Sequence, residues 1–381
     1  MNSSLDRQMK IVIIYLGSSE GLGEYTCEIA KGLSKNCTII AYLSKRNPLL
    51  YKWESIGITI RLFDTYNGFK SLALSFLTQN KIKKVATALN RDAPNLIFDT
   101  MPSPWQRSIK NKLSPDIPWT AIIHDPIPHP DRWKLLVKIN ETFNPIKADA
   151  LIGISKYSAS LISNIHPKPS LIESKHGAYK FITNVNKDEI ANYHATNNNK
   201  FIFIGRIEAY KGVEILISAF EQAKKEKPDI ELTIVGRGPL DKTAKETLLN
   251  NQGKLLNEWV SDEIMLSELD NHGVMVLPYL SATQSGPASI ALARGIPCIA
   301  TNVGALPEQI QNGKNGLIIE PNNIKHLSEA MLNLASNPSA VAKMSREAFK
   351  LAETEYSWDV IANKLFLDFE TIIVKTKGTY G

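Results

Sequence analysis

Two cations, Arg206 and Lys211, stand five residues apart in the segment FIFIGRIEAYKGVEILISAF, residues 201–220. An arginine forks onto phosphate oxygens with two parallel hydrogen bonds, and a lysine adds a compact point charge. The run Phe201-Ile202-Phe203-Ile204 predicts a parallel strand buried on both faces, and Gly205 lets the chain turn at its end. Val213, Leu216, Ile217 and Phe220 recur at helical spacing, which predicts an amphipathic helix opening at Lys211-Gly212. A strand end, a helix N-terminus and two cations together make a polyanion site, best fitted by a diphosphate. Taken singly, each cation is equally an ordinary surface charge.

Three other segments carry groups that can do chemistry. Leu16 to Gly23, LGSSEGLG, follows the first strand, with a helix expected from about Glu24; its glycines at 17, 21 and 23 allow backbone amides to face a phosphate, or make a plain tight turn. The spacing is not the dinucleotide fingerprint G-x-G-x-x-G. His124, in Ile122-Ile123-His124-Asp125-Pro126, falls just past a strand, where it can donate a hydrogen bond to a substrate hydroxyl or serve the fold. His129 and His176 are weaker candidates of the same kind, and no histidine pair has metal spacing. Thr283-Gln284-Ser285-Gly286 opens a helix of small residues, offering hydroxyl, amide and N–H groups to a sugar or phosphate; simple capping by Thr283 or Ser285 is the alternative.

The elements that must position these residues alternate from end to end. Strands are expected near 11–16, 38–43, 57–62, 95–98, 119–123 and 149–153, with helices near 24–34, 69–90, 103–113, 132–145 and 156–164. Further strands near 201–204, 231–235, 273–277 and 297–300 alternate with helices near 211–226, 239–252, 262–270 and 286–294. Such alternation predicts two Rossmann-like domains of parallel sheet with a ligand cleft between them. Residues 180–199 are polar and Asn-rich and read as a linker. Helices near 323–336, 338–353 and 360–374 close the chain; the last either braces the first domain or packs on its own.

At 381 residues with 43% hydrophobic and 22% charged content, the chain is of soluble two-domain type. Three scattered cysteines form no disulfide or metal pattern, and neither a signal peptide nor a spanning apolar run is evident, so a cytoplasmic setting is expected. Residues 1–188 carry a net +10 and residues 189–381 a net −4. That basic half suits an anionic lipid surface, an acidic substrate or simple solvation, and lacks the aromatic-basic interleaving of a nucleic-acid binder.

Together these segments resemble glycosyltransferase family 4, retaining enzymes of the GT-B fold. The resemblance rests on Gly205-Arg206 with Lys211-Gly212, Gly236-Arg237-Gly238-Pro239, Leu277-Pro278-Tyr279, Gly295-Ile296-Pro297, Gly304 with Pro307-Glu308, and Gly313 with Gly316-Leu317. Gly21-Leu22-Gly23-Glu24-Tyr25, His124-Asp125, Ser155-Lys156 and Tyr356-Ser357-Trp358 match more loosely. It implies an acceptor domain over 1–185, a nucleotide-sugar domain over 186–355 and a crossover helix over 356–381. Arg206, Lys211 and His124 are then the catalytic residues. Gly23, Gly205, Gly236, Thr283, Gln284, Ser285 and Gly286 are the donor-binding ones. The partners implied are a nucleoside-diphosphate-sugar and a lipid-linked or polysaccharide acceptor, with peripheral membrane contact, no cofactor, no metal and no nucleic acid. Many members carry two glutamates whose positions here hold Ala282 and Ile290, so the usual carboxylate contact to the ribose is missing. That departure keeps a catalytically inactive scaffold in view, while the absent fingerprint argues against a nicotinamide oxidoreductase.

Overall fold

The structure is a computed structural model that describes residues 9–126, 147–179 and 186–380. The helix expected near 132–145 and His129 lie outside them. The chain divides into two compact units: Met1–Lys175 with Trp358–Gly381, and His176–Ser357. The division falls at Lys175, whereas composition put the linker over 180–199 and the resemblance implied a boundary at 185.

Unit 1 is a seven-stranded parallel sheet in the order β3-β2-β1-β4-β5-β6-β7. Its strands are β1 (Lys10–Tyr15), β2 (Thr38–Ser44), β3 (Thr59–Phe63), β4 (Leu96–Asp99), β5 (Trp119–Ile123), β6 (Ala150–Gly153) and β7 (Ser170–Glu173). Unit 2 is a six-stranded parallel sheet in the order β10-β9-β8-β11-β12-β13. Its strands are β8 (Lys200–Ile204), β9 (Glu231–Val235), β10 (Lys254–Leu256), β11 (Val274–Leu277), β12 (Cys298–Thr301) and β13 (Gly316–Ile319). Ile11, Val12 and Ile13 in one sheet and Phe201, Ile202 and Phe203 in the other are wholly buried, as runs of apolar residues sandwiched by helices must be. The doubly wound reading of both halves therefore holds.

Three strands were not foreseen, β7, β10 and β13, and all three are sheet edges. At three or four residues each, they are too short to show a periodic pattern. The linker expected over 180–199 contains a helix, Lys187–Thr196. Asn186 caps it by accepting from the Asp188 N–H, and Ala191 and His194 are buried. Only that narrow inner side is apolar, which is why its composition reads as loop. The single helix expected near 69–90 is two, Phe69–Thr78 and Asn80–Asp92, parted at Gln79 with φ 55°.

The final helix, Trp358–Tyr380, packs within unit 1 against the first helix, Glu20–Leu33. Gly32 makes the approach possible, since a Cβ there would sit 2.6 Å from the Cβ of Ala362. Phe369 meets Phe98 at 5.0 Å between ring centroids, and Lys35 pairs with Asp359 at 2.6 Å.

Candidate functional site

In unit 2 the strand order reverses between β8 and β11, the position where open α/β sheets bind ligands. Arg206 and Lys211 lie in the loop that leaves β8 there. Gly205 leaves β8 with φ 143°, and its N–H donates to the carbonyl of Val235 at 3.0 Å. Residues Ala209–Lys211 form one 3₁₀ turn, and the helix Val213–Glu226 begins after Gly212, which takes a left-handed φ of 67°. Lys211 thus ends the turn before the helix instead of lying inside it.

That turn is pressed hard onto the neighbouring strand end. A Cβ on Gly212 would meet the Pro278 carbonyl oxygen at 2.0 Å, and Leu280 donates its N–H to the Tyr210 carbonyl at 2.7 Å. Gly236 is equally confined, 1.7 Å from the Gly205 oxygen by the same measure, at φ 151°. Asn257 then locks Gly238 with two reciprocal amide hydrogen bonds of 3.0 Å. These glycines bring backbone against backbone, so the loops at the switch point are stiff.

The two cations are held differently. Arg206 is half exposed and pairs with Glu208 at 2.6 Å. Lys211 sits over the Tyr279 ring, 3.6 Å from its centroid, and 5.1 Å from that of Tyr210. A cation on an aromatic face keeps its charge while losing much of its water. Glu208, Gly212, Val213, Pro239 and Leu280 also help line a cavity of about 310 Å³.

The Thr283–Gly286 stretch divides in its roles. Ser285 caps the helix Gly286–Ala293 by accepting from the Ala288 N–H at 3.3 Å, and its own N–H donates to the Gln309 Oε1 at 3.1 Å. The amide of Gln309 also donates to the Ser285 carbonyl and the Ser289 hydroxyl. Ser285 thus makes the helix cap that the sequence offered as one of its two readings, with its N–H held by Gln309. Gln284 keeps a buried Oε1 with no hydrogen-bond partner among the described residues. Thr283 is buried, and a Cβ on Gly286 would come within 3.1 Å of the Tyr179 hydroxyl oxygen. Ala282 and Ile290, at the positions of the missing glutamates, are both part of the apolar core. Asn257 and Gln309 emerge as site-building residues that no motif contained, whereas Tyr279 stood in the Leu277-Pro278-Tyr279 motif without a role assigned to it.

In unit 1 the strand order reverses between β1 and β4. The helix after β1 begins at Glu20, four residues earlier than expected, so Gly23 lies inside it and donates its N–H to the Ser19 carbonyl at 3.0 Å. Gly23 therefore has no amide to offer; the first-turn N–H groups of Glu20 to Leu22 lack an intrahelical acceptor. A Cβ on Gly17 would be 2.8 Å from the Met101 sulfur, which shows how closely the loops after β1 and β4 approach.

His124 follows β5 and packs edge-on against Tyr25 at 5.2 Å. Its Nε2 lies 2.9 Å from the Thr100 carbonyl oxygen, which can only accept, so Nε2 carries the proton. Burial holds the ring pKa below its usual value, the imidazole is neutral, and Nδ1 is a lone-pair acceptor with no partner among the described residues. His124 can thus accept from a hydroxyl through Nδ1, while the sequence had left donation to a substrate or a structural role open. Asp99, at the end of β4 and 1% exposed, has its carboxyl pushed up to about 7 by burial. Its Oδ1 has no hydrogen-bond partner among the described residues.

Comparison with known proteins agrees with this geometry. Residues 185–351 match the family model for group 1 glycosyl transferases. A glycogen synthase of Mycobacterium tuberculosis is 26% identical over 172 residues, covering 44% of this chain and 41% of that one. A capsular polysaccharide biosynthesis glycosyltransferase of Staphylococcus aureus is 27% identical over 205 residues, 52% of this chain and 53% of that one. The alignments thus span about half the length of these relatives or less. Among solved structures, a glycosyltransferase from Rickettsia africae superposes with a TM-score of 0.73 over 96% of this chain and 99% of its own, at 17% identity. Anabaena HepE in complex with UDP gives 0.70 over 95% and 100%, at 15% identity.

The fold is that of the GT-B glycosyltransferases. Residues 185–351 are similar to the group 1 glycosyl transferases, in line with the resemblance to family 4. Among the described residues no helix is long and apolar enough to cross a membrane.

Proposed function

We propose that the protein transfers a sugar from a nucleoside-diphosphate donor to a lipid-linked or polysaccharide acceptor of the cell surface, with retention at the anomeric carbon and without a metal. The observation that carries this reading is the rigid Gly205–Gly212 turn, which presents Arg206 and Lys211 at the switch point of the matched segment. The bond from the anomeric carbon to the diphosphate oxygen breaks, and the acceptor hydroxyl oxygen bonds to that carbon from the same face. A donor phosphate oxygen takes the acceptor's proton, so no protein nucleophile is required. Arg206 exchanges Glu208 for the leaving diphosphate, and Lys211, already partly desolvated on Tyr279, meets the charge that develops there. In unit 1, Nδ1 of neutral His124 accepts a hydrogen bond from a sugar hydroxyl. Peripheral contact with an anionic membrane belongs to the same reading, since a lipid-linked acceptor is presented there.

A mass-spectrometric screen for slow hydrolysis of nucleotide sugars identifies the donor without an acceptor. Arg206→Ala and Lys211→Ala are each expected to lower turnover by roughly 10²–10³. The melting temperature should hardly change, because a half-exposed ion pair contributes at most about 1 kcal/mol. Normal turnover in both variants would refute the assignment. The buried Ala282 and Ile290 favour one competing reading, an inactive scaffold, which predicts that calorimetric titration finds no nucleoside diphosphate bound.

A further inference from the structure

The helix Phe69–Thr78 in unit 1 turns several large apolar side chains to the surface. Leu77 is 83% exposed and Leu74 59%, while Ser75 is 3% exposed. The inward side is anchored by Leu72 on the core and by the buried Trp105, whose indole N–H donates to the Ser75 hydroxyl at 2.8 Å. With that orientation set, Lys70, Ala73, Leu74 and Leu77 share the outward face at helical spacing, and Phe76 is exposed beside them. An outward leucine pair beside an exposed phenylalanine makes an apolar patch of the kind that marks a surface meant to be covered.

The charge around this face says by what. From residue 69 to residue 91 the chain carries Lys70, Lys81, Lys83, Lys84 and Arg91 and no acidic residue at all. Lys70, Lys83 and Lys84 are exposed, and among the described residues none of the three is in an ion pair. The left-handed turn at Gln79 separates the leucine-bearing helix from the lysine-bearing helix Asn80–Asp92, so the two present adjoining apolar and basic surfaces. Leucines beside solvated lysines, without carboxylates, match the boundary between acyl chains and anionic headgroups.

We infer that the helix pair 69–92 is a membrane-docking surface, Leu74 and Leu77 entering the acyl boundary and Lys70, Lys83 and Lys84 lying against anionic lipid headgroups. The choice of partner rests on the lipid-linked acceptor proposed above. The test is independent of it, because binding is measured without donor or acceptor.

The full-length protein is sedimented with large unilamellar vesicles of phosphatidylcholine alone, or with 30% phosphatidylglycerol, at low and at 0.5 M salt. Binding is expected on the anionic vesicles only, and it should weaken at high salt. Each lysine at such a surface contributes roughly fivefold to the partition coefficient, so Lys83→Ala with Lys84→Ala should lower it roughly 25-fold. Leu74→Ser with Leu77→Ser should lower it at least tenfold at either salt, since each leucine removed from the interface loses its apolar burial. Melting curves confirm that these exposed changes leave the fold intact. Equal binding by wild type and variants would overturn the inference. So would absence of binding together with a dimer in light scattering that Leu74→Ser disperses, which would assign the face to a second copy of the chain. Catalysis lost in Arg206→Ala with vesicle binding kept would leave both proposals standing.

Discussion

The switch points of the two units are built on opposite principles. In unit 2 the work is done by crowding: Gly212, Gly236 and Gly304 each hold backbone against backbone, and the charges they support stay at the surface. In unit 1 the glycines after β1 do not press backbone on backbone: a Cβ on Gly17 would meet the Met101 sulfur at 2.8 Å and one on Gly21, inside the helix, would meet nothing within 4 Å; the chemistry lies in buried groups, Asp99 and His124, whose protonation is set by desolvation. The first arrangement suits a ligand of fixed, high charge that needs donors in exact places. The second suits neutral hydroxyls, recognised by which partner holds the proton.

Three substitutions test that contrast. The largest effect is expected from Gly304→Ala, where a Cβ would lie 1.5 Å from the Ala282 oxygen at a φ of 54°. A loss of roughly 3 kcal/mol or more is expected, read as selective proteolysis of unit 2 under native conditions. Near-wild-type resistance would show that the crowding at this switch point is relieved at little cost.

Asp99→Asn should act through pH. In the folded chain the Asp99 carboxyl stays protonated up to about pH 7, whereas an unburied aspartate ionises near 3.8. The stability it contributes is full below that lower value and falls away as pH rises towards 7. The variant's melting temperature should therefore gain on wild type progressively from pH 4 to pH 8, by several degrees at the upper end. A difference that does not vary with pH would remove desolvation as the organising principle of unit 1. The smallest effect is expected from Gly21→Ala, a helix position with open space around it: stability should rise by roughly 0.5 kcal/mol in thermal unfolding. A fall instead would place Gly21 with the confined glycines of unit 2.

How much of this was legible in the sequence follows from range. The buried central strands and the Gly-Arg and Lys-Gly pair are local patterns, so composition and spacing located them. The edge strands β7, β10 and β13 bury too little to show a pattern, and the helix Lys187–Thr196 has too narrow an apolar side. At the sites, what stayed hidden were partnerships between distant residues. Asn257 on Gly238, Gln309 on Ser285 and Tyr279 beneath Lys211 leave no mark in one dimension. The proton on His124 was likewise invisible, since Thr100, 24 residues away, decides it.

The docking of the last helix on the first, through Gly32 and Ala362, bears on how the molecule comes into being. Unit 2 is one uninterrupted stretch of chain, His176–Ser357, lodged within the sequence of unit 1. During synthesis unit 2 has all its parts once residue 357 leaves the ribosome. Unit 1, though begun first, stays open along its first helix until the helix Trp358–Tyr380 has also been translated. A truncated product that stops before Trp358 would therefore spare the carboxyl-terminal unit and strand the amino-terminal one, exposing Tyr25 and Gly32 to whatever quality control the cell provides.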